Sequence, residues 1–286
     1  MNNKERIAIV SDTNSSISME EAKKLGIYLV PMPFIINDKI YFEGKDLSQD
    51  EFYTFQESDA DISTSQPSPG DVMDIWDELL EKYDKILHIP MASSLSGSCA
   101  NAKMLSNDYD GKVIVVDNER VSITLRQAIF DTMKYIEEGY EAEEIKDMLE
   151  KDAKEASVYL SVDTLKFLKK GGRLNPAAAA IGTALNIKPV LEFKGSGLDP
   201  YKKTRGQKAA WKEIINATKK DLDTVYSGKN VILSAAYSGT TEDGEKWISY
   251  IRENFPEYKI ENFRLPLSIA THTGPKGCGL ACIVAK

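Results

Sequence analysis

Short apolar runs alternate with stretches of helical period along the first half of this chain, and that alternation restricts it to a layered α/β fold. Residues 7–10 (IAIV) end in the polar stretch Ser11-Asp12-Thr13-Asn14-Ser15-Ser16, and residues 27–36 form a second β-rich run. Both read as strands. Pro69 opens a helical pattern carried by Val72, Ile75, Trp76, Leu79 and Leu80. Residues 85–89 and 112–116 are then buried-strand runs on either side of a helix beginning near Ser96. Strand, helix, strand in succession predicts a mainly parallel sheet in the N-terminal half.

From Val121 the positions Val121, Leu125, Ala128, Ile129, Met133 and Ile136 keep a 3.6-residue period, and Ile145, Met148 and Leu149 continue it after the break at Glu138-Gly139. Two helices therefore end the first half. A second set follows: strands at 157–162, 187–193 and 197–204, a helix over 176–185 and another over 206–222. Asn175 suits the cap and Pro176 the first position of the 176–185 helix. The remainder reads as a strand at 231–236, a helix at 241–254 and strands at 259–265 and 280–284. At 286 residues the chain has room for two cores, and the change of set near Glu155 predicts two α/β domains, 1–155 and 156–286.

A formal net charge of −8 excludes a non-specific nucleic-acid binder, which needs a positive field to neutralise phosphates. Any anion must be held locally, and two basic clusters stand out for it, Lys169-Lys170-Gly171-Gly172-Arg173 and Lys202-Lys203-Thr204-Arg205. The apolar run at 7–10 is too short for a signal segment, and no other run approaches a bilayer span. Cys99, Cys278 and Cys282 have no Cys-x-x-Cys spacing, so neither a disulfide framework nor a zinc ribbon is suggested. A reducing cytoplasm fits best.

Two hydroxyl-rich stretches carry the most chemical information: Ser63-Thr64-Ser65-Gln66-Pro67-Ser68 and Ser93-Ser94-Leu95-Ser96-Gly97-Ser98. Each lies next to a strand and leads into a helix, where unpaired N–H groups and the helix dipole favour an anion. The plainer reading is that these residues are caps and turns. His272, in Ala-Thr-His-Thr-Gly-Pro-Lys-Gly, falls in a turn-rich segment before the terminal strand, where a donor can reach a ligand. His88 sits in an apolar strand run and reads as a hydrogen-bonded structural residue.

Five motifs stand in the order and approximate spacing of the DegV family, which the chain resembles over essentially its whole length. They are Thr64-Ser65-Gln66-Pro67, Ser93-Ser94-Leu95-Ser96-Gly97, Gly171-Gly172-Arg173, Lys188-Pro189 and His272-Thr273-Gly274-Pro275, and Ser11-Asp12-Thr13 is similar to the family's start. The resemblance implies two α/β domains with a long-chain fatty acid between them. It also implies a non-catalytic role: the lipid-carrying subunit of a fatty acid kinase system, in phospholipid metabolism. There a separate ATP-dependent kinase subunit phosphorylates the bound acid, and the carrier needs no cofactor. Carried over by motif, Thr64, Ser96 and His272 bind the carboxylate and Ser65, Ser93 and Ser94 support them. Arg173 and Arg205 lie near the head group or the kinase-facing surface.

Other readings stay open at this level. A DegV-like carrier of a different apolar acid uses the same residues. A hydrolase pairing Ser96 with His272 lacks the Gly-x-Ser-x-Gly elbow, since Ser94 stands two residues before Ser96. A nucleotide-dependent kinase lacks a Gly-x-x-x-x-Gly-Lys-Ser/Thr run.

Overall fold

The computed structural model describes residues 5–58, 60–179 and 187–286. The chain begins with β1 (Ile7–Asp12), α1 (Met19–Leu25) and β2 (Tyr28–Val30), followed by β3 (Pro33–Ile36), β4 (Lys39–Phe42), α2 (Gln49–Glu57) and β5 (Ile62–Thr64). Then come α3 (Pro69–Leu80), β6 (Lys85–Ile89), α4 (Ser98–Ser106), β7 (Val113–Val115), α5 (Ile123–Glu138) and α6 (Ala142–Lys151). Among the described residues the order β2-β1-β6-β7 makes one sheet, parallel at every junction. Side chains alternate across β1: Ile7 and Ile9 pack with Leu125, Ile129 and Ile145 of α5 and α6, while Ala8 and Val10 pack with Trp76 and Leu79 of α3. Helices on both faces explain why β1 is buried throughout.

Residues 27–36, expected as one strand, are two. The chain leaves the parallel sheet after Val30, and β3 pairs antiparallel with β4 and β5 in a separate small sheet. Pro31 and Pro33 bracket the break; each lacks the N–H that a continuous ladder would need. The β3–β4 turn places Asn37 and Asp38 at φ +46° and +64°, the twist that a two-residue hairpin requires.

The second half runs β8 (Ala156–Ser161), α7 (Lys166–Lys170), α8 (Pro176–Ala179), β9 (Ile187–Phe193), β10 (Leu198–Arg205) and α9 (Gln207–Asp223). It continues with β11 (Val231–Tyr237), α10 (Thr241–Asn254), β12 (Glu261–Arg264), α11 (Leu267–Thr273) and β13 (Cys278–Val284). Its sheet has the order β10-β9-β8-β13-β11-β12 and is antiparallel except between β11 and β12. Ile214 of α9 and Trp247 and Ile251 of α10 bury one face with Leu233 and Leu280. Of the helix expected over 176–185, the turn Pro176–Ala179 is present, and 180–186 lie outside the described residues.

The segment holding His272 is a correction. It is not a turn-rich loop but the last turn of α11. Its residues Leu267 and Ala270 pack on Phe34, Phe52 and Ile62 of the small antiparallel region, so tertiary burial outweighs the turn signal of Thr-Gly-Pro. No helix among the described residues is long and apolar enough to cross a membrane.

Candidate functional site

A cavity of about 1050 Å³, counting its mouth, lies over the inner face of the second sheet and is closed from the other side by loops of the first half. Strand register explains its floor. Leu160, Gly279 and Ala236 are direct neighbours across β8, β13 and β11, so they share one face, and two small residues beside a leucine leave a trough. A Cβ on Gly279 would stand 3.4 Å from Leu160 Cβ, in ordinary contact, so the glycine leaves the trough deeper there than an alanine would. Phe193, Leu198 and Val158 continue the apolar wall, and Met32 and Met91 face it from the first half.

The lining also carries polar groups. Thr64, at the end of β5, and His272, 208 residues later, are joined by a 2.8 Å contact between Oγ1 and Nε2. Burial and the nearby Arg173 cation hold the His272 imidazole down at about 4, so it is neutral at neutral pH. In the tautomer that carries the proton on Nε2, the ring donates to Thr64 and frees the threonine hydroxyl to donate to an anion. His272 Nδ1 has no partner among the described residues. It faces Gly171, where a Cβ would come within 1.9 Å of it.

The Gly-Gly-Arg and His-Thr-Gly-Pro motifs are two sides of that contact. Gly274, at φ +73°, would drive a Cβ to 2.3 Å from the Phe167 ring, just as Gly171 would meet His272. Each helix end therefore needs a glycine where the other touches it. Gly172, at φ +70°, then turns the chain after α7 into Arg173. The Arg173 guanidinium is pinned by Nε to Leu95 O (3.0 Å) and by Nη1 to Gly171 O (2.5 Å). Both partners are carbonyls, so its charge has no carboxylate counterpart among the described residues.

Of the remaining sequence candidates, Ser96 and Ser65 line the cavity with Thr64, His272 and Arg173. Ser96 Oγ lies 2.8 Å from Ser98 Oγ and accepts from Ser98 N–H at 3.2 Å. That hydroxyl pair takes the place of the Ser96–His272 pair a hydrolase would use. Ser93 and Ser94 are exposed and off the cavity wall: Ser93 N–H donates to Asp117, and Ser94 Oγ donates to Gly195 O at 2.6 Å, linking the halves. Arg205 ends β10 on the exposed surface, away from the cavity.

Sequence reasoning missed several polar residues here, Ser122 of the cavity lining among them. Asn14 and Ser268 line the cavity, and Glu43 lies buried behind them. Asn14 had a signal, the polar run at the carboxyl end of β1. Ser268 has none, because the Thr-Gly-Pro turn signal masks the helix that carries it. Asp12 supports the same corner: its carboxylate accepts from Asn14 N and Met91 N, both at 3.0 Å, and burial raises it to about 6.

A family model described as "Uncharacterised protein, DegV family" matches residues 6–285. The chain belongs to the DegV family. This DegV protein is 32% identical over 282 residues to a DegV domain-containing protein of Listeria innocua, covering 96% of this chain and 98% of the relative. Its fold is similar to that of a fatty-acid-binding DegV family protein from Thermus thermophilus. There the TM-score is 0.88 at 29% identity, over 98% of this chain and 99% of that one. It is also similar to a fat acid (stearic acid)-binding protein from Eubacterium ventriosum, with a TM-score of 0.88 at 25% identity, over 97% and 98% of the two chains.

Proposed function

We propose that this DegV family protein binds one long-chain fatty acid between two α/β domains, 1–155 and 156–286, with the carboxylate at the Thr64–His272 end of the cavity. The observation that carries this reading is a largely apolar cavity whose lining includes the Thr64–His272 pair and the Ser96 hydroxyl. A carboxylate leaving water needs several charge-assisted hydrogen bonds, about 1.5 to 3 kcal/mol each, to offset desolvation. The tail supplies affinity: at about 0.8 kcal/mol per buried methylene, fourteen contribute on the order of 11 kcal/mol before ordering costs. Thr64, Ser96 and His272 hold the head group in this reading, with Ser65 at the rim. The similarity to proteins named for fatty acid binding supports it. Native mass spectrometry of the purified protein, before and after delipidation, should show one bound C14 to C18 acid per chain. An empty protein that takes up none of these acids would rule the carrier reading out.

The same reading makes the protein the non-catalytic, cytoplasmic partner of an ATP-dependent fatty acid kinase subunit, with Arg173 and Arg205 serving transfer. A guanidinium presents a planar fork of donors suited to a phosphate, and Arg173 stands where an acyl phosphate would develop its charge. Arg173→Ala and Arg205→Ala are expected to keep bound lipid yet be poor substrates for a cognate kinase. Bound acid and phosphorylation should be measured on the same samples. Normal phosphorylation of both variants, or lipid lost in step with phosphorylation, removes the transfer role.

A further inference from the structure

Helix α11 carries both Ser268 and His272 but has no side-chain cap of its own at Pro266. Its N-terminus is held by a residue more than two hundred positions earlier. Glu43 lies just beyond β4, and one of its oxygens accepts from Leu267 N–H at the first turn of α11. The other contacts Ser268 Oγ at 2.7 Å and Thr13 Oγ1 at 3.1 Å. Thr13 in turn accepts from Met32 N–H at 3.0 Å. One buried carboxyl group thus joins the end of β1, the strand region after β4 and the helix bearing His272.

A proton count says which form of Glu43 fits. Ser268 has one hydroxyl proton but touches two acceptors, Glu43 Oε2 and Asn14 Oδ1. Asn14 is oriented with its Nδ2 donating to Met91 Sδ at 2.9 Å, which leaves Oδ1 toward Ser268. Both contacts are hydrogen bonds only when Glu43 supplies a proton to Ser268 Oγ and Ser268 passes its own to Asn14. The neighbours of Glu43 in this network are uncharged, and the adjacent acid, Asp12, is turned onto the backbone N–H groups of Asn14 and Met91.

We propose that Glu43, in its neutral form, is the positioning residue of the head-group end: it caps α11 and fixes Ser268 and Asn14 on the cavity wall, and so sets where His272 meets Thr64. Burial supports this by holding its carboxyl up at about 7 despite the hydrogen bonds it accepts. Glu43 lies outside the cavity lining and acts through the groups that form it. This rests on the fatty acid reading of the cavity, and its test separates the two.

Glutamine keeps every contact of the neutral acid: its oxygen accepts from Leu267 and its amide nitrogen can donate to Ser268 and to Thr13, the last bond reversing the one in which Thr13 donates to the acid. Methionine fills similar space and makes none of them. Palmitate and hexadecanol, which share a tail and differ in head group, are titrated into delipidated wild type, Glu43→Gln and Glu43→Met. The ¹⁵N shifts of the His272 ring are recorded on the ligand-free proteins. Glu43→Gln should bind palmitate within about threefold of wild type, and Glu43→Met on the order of tenfold more weakly, since small misplacements of polar groups are costly. Hexadecanol affinity should change by less than about threefold in both, and the His272 shifts should move in Glu43→Met alone. Where Glu43→Met does not fold, Thr13→Val removes one anchor of the same carboxyl and should move the His272 shifts in its place. Unchanged His272 shifts in the methionine variant, or in Thr13→Val where that stands in, overturn the proposal, as does a glutamine variant as weak as methionine. A wild type that takes up no palmitate overturns the fatty acid reading, and a His272 shift confined to Glu43→Met still supports the positioning role.

Discussion

Gly171→Ala is expected to weaken fatty acid binding about 30-fold or more while leaving the protein folded. The added Cβ would stand 1.9 Å from His272 Nδ1 and 2.5 Å from Cε1, far inside contact distance. The ring cannot simply retreat, because α11 is fixed at its start by Glu43 and at its end where Gly274 meets Phe167. The bond from Nε2 to Thr64 is lost or displaced, and loss of the aligned donors at a buried charge costs roughly 2 kcal/mol, which corresponds to the stated factor. The neighbouring glycine gives the contrast. Gly172 has φ +70° but open space where its Cβ would point, so Gly172→Asn, which tolerates that conformation, should bind nearly as wild type. Calorimetry with one defined acid separates the two variants, and equal affinities would show that the His272 ring is not held by this contact.

Glu43→Gln should be more stable than the wild type at pH 8, by about 3 kcal/mol, and should lose that advantage below about pH 4.5. Burial raises the Glu43 carboxyl from its ordinary 4.5 to about 7, so between those values the folded protein holds a proton that the unfolded chain has released. Its contribution is fully present below 4.5 and is lost as the pH rises through 7, the opposite of an ion-paired carboxylate. At about 1.36 kcal/mol per unit, ionising this buried group above pH 7 costs the amount stated, and the amide never incurs it. His272, held down at about 4, and His88, held down at about 3, act in the other direction but are common to both proteins. Urea unfolding at pH 4.5 and pH 8 reads the difference between variant and wild type directly. A difference that stays the same at the two pH values would mean that Glu43 does not titrate in this range. A gain at pH 8 that vanishes at pH 4.5, together with the ligand titrations, would show that Glu43 serves placement at a cost in stability once it ionises.

The strands and helices of the parallel half were legible in the residues because periodicity is a local property: Val72, Trp76 and Leu79 repeat along α3 whatever they pack against. The DegV motifs were legible for the same reason, and so was the gathering of Thr64, Ser96 and His272 as candidates. Three things were decided in space. The break at Pro31 and Pro33 depends on which sheet has a free edge, and α11 is a helix because Leu267 and Ala270 are buried on Phe34 and Phe52. Ser93, Ser94 and Arg205 carry the same chemistry as the residues beside them, and only the direction of their loop and strand keeps them off the cavity wall. Glu43 was invisible in sequence because its meaning lies in partners 30 and more than 220 positions away and in one missing proton, and neither spacing nor composition encodes a distance.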